Sequence, residues 1–96
     1  MRSDPFLFIP NIGGHQTVTI GAAAASSVPL SPGIQAFCAY SDVDCHIAVG
    51  GNPTASASDF FLPANTLIAL RCRSGDMVSV IQSTGPGTLH ISEVTH

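Results

Sequence analysis

A chain of 96 residues has the length of one domain, and a core of that size buries about 60–65% of the surface its unfolded chain exposes, which favours association with partners. Only 9% of its residues are charged: there is no lysine, and three arginines (Arg2, Arg71, Arg73) against six carboxylates give a formal net charge of −3, which disfavours neutralising a phosphate backbone and therefore nucleic-acid binding. No stretch approaches the ~18–20 consecutive apolar residues of a membrane span, and Met1-Arg2-Ser3-Asp4-Pro5 lacks the layout of a secretory leader, so a soluble chain made in a cytoplasm is expected.

The first segment, with Phe6, Leu7, Phe8 and Ile9 bracketed by Pro5 and Pro10, is the most apolar window. Proline cannot donate to a ladder and is confined to edges and strand ends, so residues 1–14 read as an extended arm lying on a surface. Residues 15–22 alternate, with Val18, Ile20 and Ala22 opposite Thr17, Thr19 and Gly21, the period of a strand. The alanines at 22–25 are too few for a stable helix and read as a loop or edge strand. Residues 34–40 alternate with two rather apolar faces. Ser41-Asp42-Val43-Asp44 reads as a turn closed by local Asp-to-backbone bonds, and residues 45–49 return as a strand, a hairpin candidate. Gly50-Gly51-Asn52-Pro53 breaks the chain, and a small-residue loop leads to Phe60-Phe61-Leu62. Residues 66–73 and 77–82 flank Ser74-Gly75-Asp76, the pattern of a second hairpin. After Ser83-Thr84-Gly85-Pro86-Gly87, residues 88–94 form the closing strand.

Seven or eight short strands with breakers between them, and no helix able to cross over between parallel strands, predict antiparallel sheets. A single sheet would leave an apolar face in water, so the predicted fold is all-β, a small antiparallel β-sandwich or jelly-roll-like domain over residues 15–96. Val18, Ile20, Ile47, Val49, Leu67, Val78, Val80, Leu89 and Ile91 are the inward candidates.

Few residues suggest chemistry. Cys38, Cys45 and Cys72 include no C-x-x-C pair, so neither a zinc site nor a disulfide is expected, and all three read as buried free thiols. Cys45 and His46 are strand neighbours pointing to opposite faces and cannot act as a dyad. No nucleophile elbow, paired acid or phosphate-cradling loop is present, so no enzymatic activity, no cofactor and no metal are expected. Asp42 and Asp44 are too few for calcium, and His15, His46, His90 and His96 are scattered. What stands out is contact material: the arm residues Phe6, Leu7, Phe8 and Ile9, the pair Phe60-Phe61, and Arg71 with Arg73, which share one strand face and suit a partner's carboxylates.

Several stretches together carry a resemblance. They are Gln16-Thr17-Val18-Thr19-Ile20 with Val28-Pro29-Leu30; Asp44-Cys45-His46-Ile47-Ala48-Val49-Gly50 with Asn52-Pro53-Thr54-Ala55; Phe61-Leu62-Pro63-Ala64; Gly75-Asp76-Met77-Val78-Ser79-Val80-Ile81; and Gly87-Thr88-Leu89-His90-Ile91-Ser92-Glu93. Over residues 15–94 the chain resembles a loose group of small β-rich virion proteins of tailed bacteriophages. That resemblance implies a capsid cement or decoration protein of the virion, holding the major capsid protein and itself a homo-oligomer, dimer or trimer. It carries over no catalytic residue and does not cover the arm. The alternative is a β-sandwich binding module of a phage tail, fibre or head-tail region that recognises a host surface or sugar. The low count of exposed aromatics and acids weighs against sugar binding. Removing residues 1–12 is expected to leave the sandwich folded and to weaken its attachment to particles.

Overall fold

The computed structural model describes residues 11–95. The arm residues Phe6, Leu7, Phe8 and Ile9 lie outside that range. Eight strands form: β1 (Asn11–Ile20), β2 (Ala25–Ser26), β3 (Ala36–Ser41), β4 (Cys45–Gly50), β5 (Phe60–Leu62), β6 (Ile68–Arg71), β7 (Met77–Gln82) and β8 (Gly87–Thr95). No helix occurs among the described residues, so none is long and apolar enough to cross a membrane.

The strands make two four-stranded antiparallel sheets, ordered β1-β8-β3-β6 and β2-β7-β4-β5. Strands one and eight, two and seven, three and six, and four and five each pair. This nested pairing, a long hairpin rolled up on itself, is the arrangement of a jelly roll. The all-β sandwich expected from alternation and breaker spacing is therefore the fold.

The local pairings differ from expectation. Residues 34–40 and 45–49 do not form a hairpin, because β3 and β4 lie in different sheets. Nor do β6 and β7 pair, although a tight turn stands between them: Asp76 N–H donates to Arg73 O (3.0 Å), Arg73 N–H donates to the Asp76 carboxylate (2.7 Å), and Gly75 takes φ 81°. The turn chemistry fixes the reversal but not its plane, and here the chain turns a corner from one sheet to the other.

The first strand begins at Asn11, four residues earlier than the alternation that starts at His15. The pairing Ile12 with Val94 and His15 with Ser92 leaves one extra residue on β1, a bulge at Gly13-Gly14, and such an insertion hides the period of two. A Cβ at Gly14 would stand 3.0 Å from Glu93 Oε1, so glycine permits the close approach there.

Val18, Ile20, Leu30, Phe37, Ala39, Cys45, Ile47, Leu62, Val78, Val80, Leu89 and Ile91 fill the space between the sheets. Val49 packs against their rim. Leu67 does not: it is 68% exposed. In β6 the inward parity belongs to Ile68, Leu70 and then Cys72, so Leu67 shares the outward parity of Arg71 and Arg73, whose charges have no place in the core. Over the outside of the second sheet the loop 51–59 crosses β7, where Ala55 N–H donates to Ser79 Oγ (2.9 Å) and buries that serine completely.

Candidate functional site

The two ends of the sandwich differ. At one, β1 packs against β2. At the other, the edge strands β5 and β6 follow each other in sequence, joined by residues 63–67. Five residues reach at most about 16–18 Å, enough to step across sheets packed about 10 Å apart but not to span the sandwich. The β5 and β6 edges therefore lie together.

Three of the four large apolar side chains exposed among the described residues lie along these two edges, the fourth being Val28 after β2. Phe60 and Phe61 are 52% and 45% exposed, and Leu67 stands just before β6. Phe61 pairs with His46 across β4, with ring centroids 5.4 Å apart. The His46 Nδ1 lies 3.1 Å from Asp59 O; a carbonyl only accepts, so Nδ1 carries the proton and the ring is fixed beside Phe61. The connecting corner is held by Ala64 N–H donating to Asp44 (2.8 Å), by Asn65 N–H donating to Ser41 O (2.7 Å) and by the Tyr40 hydroxyl donating to Asn65 Oδ1 (2.8 Å). Asn65 takes φ 59°, a left-handed conformation that asparagine tolerates.

Arg71, at the end of β6, and Arg73, two residues beyond it, are both exposed. With Gly33, Ile34, Gln35, Cys72 and Ser74 they line a shallow depression of about 350 Å³. Its floor continues the β3–β6 ladder: Cys72 N–H donates to Gln35 O (2.9 Å) and Gly33 N–H donates to Ser74 Oγ (3.0 Å). Arg71 and Arg73 thus share the outward parity of Leu67 on the first sheet, whereas Phe60 and Phe61 belong to the edge of the second sheet and do not line this depression. Leu67 is the member that sequence reasoning misplaced, and its shared parity with the two arginines was the available signal.

The carboxylates are arranged differently. Asp42 accepts from Thr88 N–H (2.8 Å), Asp44 from Ala64, Asp59 from Ser56 N–H (2.7 Å), Asp76 from Arg73, and Glu93 from both Ser31 N–H (2.8 Å) and Gly14 N–H (3.1 Å). Every carboxylate side chain among the described residues is a cap on backbone N–H groups. Asp42 and Asp44 accordingly do not close their own turn, as expected from sequence, but tie it to β8 and to the β5–β6 corner. The Ser31 N–H, with Gly14 in support, holds the Glu93 carboxyl below the usual carboxylate range against the opposing effect of burial.

The three cysteines are free. Cys45 is fully buried, whereas Cys38 and Cys72 are half-buried, a departure from the expectation for all three. Burial pushes the Cys45 thiol up, and Asp44 and Asp42 add to this against a hydrogen bond with Ser41. Cys72 is pushed up by burial and then by Asp76 and Glu93. Neither is primed as a thiolate nucleophile. Among the described residues no three His, Cys, Asp or Glu side chains stand close enough to hold a metal ion. Comparison with protein-family models, with curated proteins and with solved structures finds no match to this chain.

Proposed function

We propose that this chain is a structural virion protein, a capsid cement or decoration protein that docks on the major capsid protein and acts by contact rather than by catalysis. The observation that carries the reading is the composition of the β5–β6 edge. Three of the large apolar side chains exposed on the surface lie along the two adjoining edge strands, Phe60 and Phe61 on β5 and Leu67 just before β6, and both described arginines follow Leu67 on its outward parity. Aromatics and arginine are the residues enriched in the buried centres of protein interfaces. The jelly roll is a fold used by viral capsid domains, although it also serves lectins and enzymes, so the fold supports the reading only by analogy. For a sugar-recognising module, Phe61 offers a stacking face beside His46, but no carboxylate is shown beside it to accept sugar hydroxyls, the described carboxylates being placed as caps at turns and corners.

In this reading Phe6, Leu7, Phe8 and Ile9 supply an additional apolar contact. Residues 11 and 12 pair with β8, so the clean truncation ends at Pro10 and leaves β1 whole. The test is electron microscopy of purified virions of the encoding phage, with co-sedimentation of the chain on heads lacking it. Density for a jelly roll bridging capsomers, and weaker attachment of both the truncated chain and a Phe60→Ser/Phe61→Ser variant, are expected. Absence of the chain from purified particles would refute the proposal.

A further inference from the structure

In a chain with formal net charge −3, the ordinary expectation is that arginines are neutralised by nearby acids. Here the described acids are all engaged as backbone caps, and neither the Arg71 nor the Arg73 guanidinium forms a side-chain bond within the described residues. The nearest sequence neighbour able to pair, Asp76, accepts from the backbone N–H of Arg73. Two permanently charged forks therefore face outward over one depression, and a planar guanidinium is matched best by a carboxylate or a phosphate. Two positive charges are too few for a nucleic-acid backbone, whose binding grows with the number of phosphates neutralised.

Spacing narrows the choice further. Outward residues two apart on a strand are about 6.6 Å apart, the same repeat as alternate side chains of any extended segment laid alongside. β6 ends at Arg71, but the Cys72 N–H bond to Gln35 O carries its ladder one residue further, so Arg73 follows Arg71 on the same side; from these two forks without side-chain partners we infer that the Arg71–Arg73 face binds an extended protein segment bearing Asp or Glu at alternate positions. Each guanidinium takes one carboxylate, and Leu67 and Ala69, which lie on the same outward row, meet apolar parts of the same segment. The inference rests on the assembly reading above, of which it specifies the partner's chemistry.

The test uses the full chain and synthetic peptides, without particles. Fluorescence anisotropy at low salt compares a peptide of alternating glutamate and serine with one of the same composition whose glutamates are adjacent in pairs, together with inorganic phosphate and a DNA duplex. The alternating peptide is expected to bind and to weaken about tenfold or more in Arg71→Gln/Arg73→Gln, with partial retention in Arg71→Lys/Arg73→Lys, which keeps charge but loses the fork. Unchanged urea midpoints establish that these exposed substitutions leave the fold intact. The inference is overturned by no binding at about 1 mM peptide, by equal binding of the paired-glutamate peptide, by binding indifferent to the arginines, or by phosphate or DNA binding as tightly as the peptide. Peptide binding by a chain that fails to attach to virions upholds this inference and removes the assembly reading; attachment without peptide binding does the reverse.

Discussion

Replacing Glu93 by glutamine tests how the jelly roll is fastened at one end. Glu93 follows Leu89 and Ile91 on the inward face of β8, yet its carboxylate reaches Ser31 in the β2–β3 connection and Gly14 at the β1 bulge. One side chain thereby ties β8 to two parts of the chain that are 62 and 79 residues from it in sequence. Glutamine keeps the shape but offers one acceptor, and its amide N–H₂ must face the other donor. A hydrogen bond to a charged group contributes about 1.5–3 kcal/mol, and because Gly14 and Ser31 are exposed enough for water to replace the lost acceptor, a cost of about 2 kcal/mol is expected. Urea unfolding at pH 7 should show it as a lower midpoint with an unchanged slope. The folded carboxyl titrates below its unfolded value, so its contribution is complete above the unfolded pKa of about 4.3 and is lost as pH falls through the folded pKa. The gap between the native chain and Glu93→Gln should therefore narrow in acid. Equal midpoints at pH 7, or a gap that stays constant down to pH values of about 3, would show that the two N–H groups do not depend on the charge.

Three other outcomes are expected. Gly87→Ala should destabilise by about 1–3 kcal/mol, since an added methyl would meet the Asp42 carboxylate and Val43 side chain closer than real Cβ contacts allow; thermal melting measures this, and an unchanged Tm refutes it. Leu67→Ser should cost less than about 0.5 kcal/mol because the side chain is exposed, whereas Phe37→Ala, at the centre of the core, should cost about 3–5 kcal/mol. Comparable urea midpoints for the two variants would contradict the assigned faces. Labelling with a thiol reagent at mildly alkaline pH should reach Cys45 only after denaturation, since its thiol is buried and its pKa raised, and native-state labelling as fast as that of Cys38 would count against its placement.

Strands and reversals were legible because both have local causes. Val18 and Ile20, Val78 and Val80, and Leu89 and Ile91 alternate as one buried face demands, and Gly75 sits where a left-handed residue closes the turn. Pairing was not legible, since a local pattern cannot say whether a reversed chain rejoins its own sheet or crosses to the other. Residues 66–73 posed a sharper difficulty: Leu67, Ile68 and Leu70 place apolar groups on both parities, and only the arginines identify the outer one. The edge residues Phe60, Phe61, Arg71 and Arg73 were recognisable by type, but their placement on the edges of two different sheets depends on the nested topology. The use of carboxylates as caps was hidden for the same reason, since Asp42 and Thr88 are 46 residues apart.

The nested order also dictates when the molecule can become whole. β4 and β5, the innermost pair, are available as soon as residue 62 has left the ribosome, but β8 lies between β1 and β3 in its sheet. The last of the eight strands to be synthesised is thus an interior one, and until it arrives β1 has no ladder partner in its own sheet. Contacts between such distant segments close slowly, and the nascent chain carries unsatisfied strand edges throughout its synthesis. Crowded polysomes translating this chain should consequently be the stage most prone to mispairing between neighbouring copies, whereas the finished jelly roll has its first strand stitched to its last.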